Sequence, residues 1–205
     1  MFNTLALISV LTAMFMLRAF VSIFPSIMGA AIRWKESINI EASVKSSRDR
    51  DFSALVLMLP FCLTVFRFRI YNPSFIAGLS DDARLWAILA IFAAYLIFRK
   101  TAFMLVHPGK ISQKAYVAAE KSAYTFFILL TLALLAFGSV ASFCDASLQT
   151  IKIVCLWLSA LIYGLYILRK LQILTSSCSL FTGFLYLCAL EILPTCILVV
   201  SGVIF

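Results

Sequence analysis

Charge is what this chain has least of. Only 13% of its 205 residues are charged, against 63% hydrophobic, whereas soluble domains carry roughly a quarter charged residues. Mean hydropathy is +1.06. That balance excludes a soluble globule, because a chain of this length cannot hide so much apolar surface. Histidine is nearly absent. His107 stands alone, with no second imidazole or carboxylate near it, which argues against a metal and for a helix-terminal surface residue. The seven glycines are scattered, and no H-E-x-x-H, G-x-S-x-G or Walker-type loop occurs. The usual hydrolase and nucleotide-binding templates are therefore missing, and no cofactor is implied. No two of the six cysteines form a C-x-x-C pair; five lie in or beside apolar runs, where Cys behaves as a small hydrophobe. Neither a disulfide framework nor a zinc site is expected.

What is present is a series of long apolar runs punctuated by basic residues. The formal net charge of +8 would fit nucleic acid, but no aromatic-and-basic nucleic-acid module is visible. Clusters of Lys and Arg between apolar runs fit the positive-inside rule and anionic headgroups better. The partner implied is the lipid bilayer, with anionic lipid headgroups on the cytoplasmic side.

The fold class expected is all-α, a polytopic transmembrane helix bundle forming one membrane domain over 1–205. About 20 apolar residues span a ~30 Å hydrocarbon core, which places six spans near 4–32, 52–71, 85–106, 124–143, 151–168 and 177–203. The first lacks a basic n-region and reads as an uncleaved helix. The second is short and interrupted by Pro60, and spans if Arg67 and Arg69 snorkel. Residues 33–51 read as a polar connector, a solvated loop or surface helix, with Ser46, Ser47, Asp49 and Asp51 as candidate helix caps. Ser80, Asp81 and Asp82 cap the third span. Residues 110–122 read as a short interfacial helix capped by Ser112, with Ile111, Ala115 and Ala118 inward. Connectors 33–51, 99–122 and 169–176 carry 12 Lys and Arg on one side, against Arg67, Arg69, Arg84 and Lys152 on the other. Both termini are thereby expected outside the cytoplasm.

One carboxylate breaks the last apolar run. Glu191 lies eleven residues beyond Leu180, roughly 16 Å deep at the helical rise. A mid-span acid costs several kcal/mol unless paired, protonated or solvated. Arg18 and Arg99 each lie fourteen residues into their spans from the opposite side, roughly 21 Å, within reach of the acid along a long side chain. The expected polar locus is Glu191 with Arg18 or Arg99, beside Lys100, Pro194 and Tyr186. The plainer alternative has both arginines snorkelling to headgroups while Glu191 stays protonated and hydrogen-bonded. Pro194 deprives the Leu190 carbonyl of its partner, which favours a donor or water nearby.

The string Tyr186-Leu-Cys-Ala-Leu-Glu191-Ile-Leu-Pro194 resembles the C-terminal signature of an uncharacterised family, a domain of unknown function, of multi-pass inner-membrane proteins from Bacteroidota. The layout of Arg18 in the first span and Tyr95, Arg99 and Lys100 in the third is similar too. The resemblance implies an inner-membrane place in the bacterial envelope and no particular activity.

Three functional classes follow. A non-catalytic scaffold or assembly subunit, with a protein partner or as a homo-oligomer, fits small loops and the missing catalytic set. A small transporter or proton-coupled carrier would use Glu191. An anionic-lipid-binding or lipid-modifying protein would use Arg18, Arg99 and Lys100. Catalysis lacks a second buried acid, so an enzyme is the weaker reading.

Overall fold

The computed structural model describes residues 2–105, 112–145 and 147–204; His107 and Ile111 lie outside them. The described chain is all-helical, as the scarcity of charge and the length of the apolar runs require. Its elements are α1 (Phe2–Ile32), α2 (Trp34–Ala42), α3 (Val44–Arg67), a single turn α4 (Ser74–Ala77), α5 (Asp81–Leu105), α6 (Gln113–Phe143), α7 (Leu148–Thr175), α8 (Leu180–Leu187) and α9 (Leu193–Ile204). Among the described residues four helices are long and apolar enough to cross a membrane: α5, α6, α7 and the run through α8 and α9. A fifth is α1, if its halves Phe2–Phe15 and Leu17–Ile32, bent by 72°, count as one span. This is the architecture of a multi-pass membrane bundle. Large apolar side chains such as Phe15, Leu55, Ile97, Trp157 and Phe181 accordingly face outward.

Serine hydroxyls start the helices. Ser43, Ser80, Ser112, Ser147 and Ser179 each accept the backbone N–H three residues on, at 3.2 to 3.4 Å, satisfying a donor that the first helical turn leaves unpaired. The cap of α3 is thus Ser43, ahead of the positions expected at 46, 47, 49 and 51. Ser112 does cap a helix, but not a separate interfacial one. From Gln113 the helix runs unbroken to Phe143, since no Gly or Pro intervenes before Gly138. Ala115 and Ala118 are buried on it, against Ile173 and Leu174 of α7.

The packing core joins α3, α5, α6 and α7. Phe61 stands edge-on to Phe92 and Phe127, with centroids 5.0 and 5.1 Å away, a favoured aromatic geometry. Cys62, Val65, Ile88, Leu134 and Cys155 extend this cluster. Inside a bilayer, association depends on such close contact, because lipid is as apolar as leucine. Gly138 shows how close it is: a Cβ there would lie 2.5 Å from the Phe68 ring.

Residues 33–51 form helix rather than loop, α2 and the start of α3, with Arg33, Lys35, Lys45 and Arg48 exposed and a second set of charges turned inward. Arg50, 1% exposed, pairs with Glu41 and with Asp51 at 2.6 Å. Lys121 of α6 reaches the same acids at 3.4 and 3.3 Å. Ser47 donates to Glu41 at 3.1 Å and accepts from Lys121 at 3.1 Å. Two cations and two anions thus clasp α2, α3 and α6. Nearby, Arg169 Nε donates to the Ala31 carbonyl at 2.9 Å, where the C-terminus of α1 favours a cation.

Two glycines test this packing. Gly138→Ala is expected to destabilise by about 1–3 kcal/mol through overpacking against Phe68. Gly164, with nothing within 4 Å of a built Cβ, should accept Ala neutrally or gain up to about 1 kcal/mol. Thermal unfolding of both variants in detergent micelles measures the contrast.

Candidate functional site: an intramembrane charge cluster and its cavity

The site begins with a backbone irregularity. Pro194 has no N–H and its ring crowds the carbonyl four residues back, so a regular α turn is obstructed. The chain widens instead into a π turn over Cys188–Ile192, where the Leu193 N–H donates to the Cys188 carbonyl. Such turns recur at functional positions. The Glu191 carbonyl accepts the Tyr163 hydroxyl at 3.3 Å, so α7 supplies a donor at the disturbed segment.

Glu191 is 1% exposed. Arg99 of α5 donates from Nε to both carboxylate oxygens at 3.0 Å and from Nη2 to Oε1 at 2.8 Å. Lys170 of α7, also 1% exposed, pairs with Oε1. The Tyr166 hydroxyl accepts from Arg99 Nη2 at 3.0 Å and from Lys170 Nζ at 3.2 Å. Arg99 Nη2 also reaches the Glu120 carbonyl of α6 at 3.4 Å. Phe103 lies under both cations, its centroid 4.1 Å from Lys170 Nζ and 5.7 Å from Arg99 Cζ, where the ring face attracts positive charge. Charge-assisted bonds of this kind are about twice as strong as neutral ones, and their number is what makes burial of three charged groups tolerable. Within hydrogen-bonding reach two bases meet one carboxylate, with the Glu120 carboxylate near enough to act electrostatically on Lys170.

Of the residues expected at this locus, the structure brings Arg99 to Glu191. Lys100 projects to the exposed side of α5, and Arg18 lies on an exposed part of α1. Pro194 is buried and shapes the turn. Tyr186 packs elsewhere, against the cluster of Ala115, Ala118 and Ile173. Thr195 bonds to Tyr95 at 3.0 Å. Lys170, Tyr166, Tyr163 and Phe103 were not anticipated. A signal for Lys170 existed: Leu171, Ile173 and Leu174 continue the apolar helix past what looks like a basic end.

Beside the cluster opens a cavity of about 670 Å³, within the range of small-molecule and lipid sites. Its apolar end is formed by Met58, Phe61, Phe92, Leu130 and Leu198, and its polar end by Arg48, Asp51, Arg99, Lys100, Glu120 and Glu191. Phe52, Leu55, Leu96 and Ile97 also line it and are themselves exposed, so the mouth lies between α3 and α5. Those helices meet at Phe61 and Phe92. Among the described residues no three His, Cys, Asp or Glu side chains converge to hold a metal.

Glu191→Leu is expected to cost about 3–5 kcal/mol, because two buried cations lose their counter-charge; Glu191→Gln should be milder. Adding Lys170→Met to the Leu variant should recover at least about 1 kcal/mol, whereas Arg18→Ala and Glu191→Ala should add within about 0.5 kcal/mol. Denaturant unfolding in micelles reads both cycles. Simple additivity of the Lys170 pair would contradict the geometry.

No protein-family model, curated protein or solved structure matches the chain.

Proposed function

We propose that the chain is a non-catalytic, lipid-binding protein of six membrane spans that takes an amphiphile sideways from the bilayer. The observation that carries this reading is the mouth between α3 and α5. Its rim is made of exposed Phe52, Leu55, Leu96 and Ile97, side chains that in a bilayer touch acyl chains. Behind that rim the cavity passes from charged to apolar, the order in which a lipid is built.

Six spans follow if α3 counts as one from Phe52 onward, with α8 and α9 together as the last. Setting aside Arg99 and Lys170 as site residues, ten Lys and Arg still face four across the membrane, which favours termini outside the cytoplasm. The inner membrane of a bacterial envelope is the location that the C-terminal signature and this charge bias support. The assembly-subunit reading ranks lower, because the exposed apolar faces are what lipid contact alone requires. Proton carriage through Glu191 is disfavoured by the two bases, Arg99 and Lys170, that already bond its carboxylate.

Purification in a mild neutral detergent, followed by lipid extraction and mass spectrometry, is expected to find one amphiphile retained near stoichiometry. Ala123→Trp, which places an indole in the cavity, should displace it without unfolding the protein. An unchanged lipid content in that variant would refute the cavity as the binding site. Topology is checked separately in a cysteine-free background. Cysteines at the exposed positions Asn39 and Lys114 should resist a membrane-impermeant label in intact cells, and one at Leu79 should react; the reverse pattern would invert the orientation.

A further inference from the structure

We infer that the cavity's occupant is a single-chain anionic amphiphile whose oxyanion is held at Nη1 of Arg99. This rests on the cavity reading above and adds the chemistry of the headgroup. Arg99 spends Nε and Nη2 on Glu191, Tyr166 and the Glu120 carbonyl. Among the described residues Nη1 takes no hydrogen-bond partner, and it is not one of the fully enclosed orphan polar atoms. The side chain is otherwise nearly nine-tenths buried and lines the cavity. The free edge of the guanidinium is therefore presented to the cavity.

Charge points the same way. At Glu191 two bases, Arg99 and Lys170, share one carboxylate, so Glu191 does not answer Arg99 alone. Asp51 is engaged by Arg50 and Lys121. Arg48 and Lys100 are exposed at the rim. Glu120 also lines the polar end and acts on Lys170 through space. A monoanion brought to Nη1 would meet the guanidinium nitrogen that has no partner among the described residues, and a charged donor favours such a bond over a neutral one.

Shape supplies the tail. From Phe103 to Phe92 on α5, and from Glu120 to Leu130 on α6, the lining runs ten or eleven residues, roughly 15 Å at the helical rise. The charged residues sit at one end of that length and the rings of Phe61 and Phe92 at the other. A carboxylate from a free fatty acid and a phosphate from a lysolipid share the required chemistry, so the test separates them.

The delipidated protein in neutral micelles is titrated with a fatty acid, an alkyl phosphate and a primary alcohol of equal chain length, with binding followed by native mass spectrometry. One or both anions should bind about tenfold or more tightly than the alcohol, the gain expected of a charged over a neutral acceptor in a desolvated site. Whichever anion binds better names the source. Lys170→Met, which leaves Glu191 to answer Arg99 alone, should reduce the preference to about twofold or less; Lys170→Gln serves if the Met variant does not fold. Arg18→Gln, an equal charge loss outside the cavity, should leave the preference intact. Equal binding of alcohol and anions overturns the headgroup inference and leaves the cavity reading standing, whereas failure of all three overturns both. A preference that survives loss of Lys170, or that falls equally with Arg18→Gln, also overturns it.

Discussion

A carboxylate in a low-dielectric interior has to be met by charge, and this bundle is arranged around how Glu191 is met. Arg99 comes from α5, Lys170 and Tyr166 from α7, and a carbonyl from α6 completes the shell. No two neighbouring helices could supply all of it. The cluster therefore fixes the relative depth of these helices more sharply than apolar packing, which tolerates sliding, can do. Whether such a cluster stabilises the fold relative to an all-apolar core is a separate matter; its plainest effect is to specify one arrangement.

The two buried charge clusters differ in stoichiometry, and the difference is informative. Near the basic end, Arg50 and Lys121 meet Glu41 and Asp51. That set is closed and neutral, and it clasps three helices without need of anything else. The Glu191 cluster sets two bases on one carboxylate and borders a cavity that Glu120 also lines.

Much of this was legible in the sequence because it follows from composition and depth. The membrane class is carried by the long uncharged runs, and the rise per residue brings Arg99 near Glu191. Arg18 has the same separation from its span's start, yet α1 bends after Phe15, and depth alone cannot say which face a residue occupies. Lys170 was hidden beside Arg169, where two bases look like a helix end; one tethers α1 and the other is buried. The clasp at Arg50 was not legible at all. Its members lie at positions 41, 47, 50, 51 and 121, and only tertiary packing unites α2 and α3 with α6. The reading of 33–51 as a solvated loop or surface helix followed from its polarity, part of which faces out at Arg33, Lys35, Lys45 and Arg48 while part turns inward.

The π turn at Cys188–Ile192 acts as a phase adjuster for the last span. An extra residue in one turn rotates everything beyond it by about 100° relative to an uninterrupted helix. The two halves are thereby set independently. Gly183 and Leu187 of α8 are buried, with Gly183 facing α7, while Thr195 and Ser201 of α9 meet Tyr95 and Tyr71. Straightening that turn would leave one half facing its neighbours and swing the other toward lipid. The span therefore cannot lose a residue there without choosing which set of contacts to abandon.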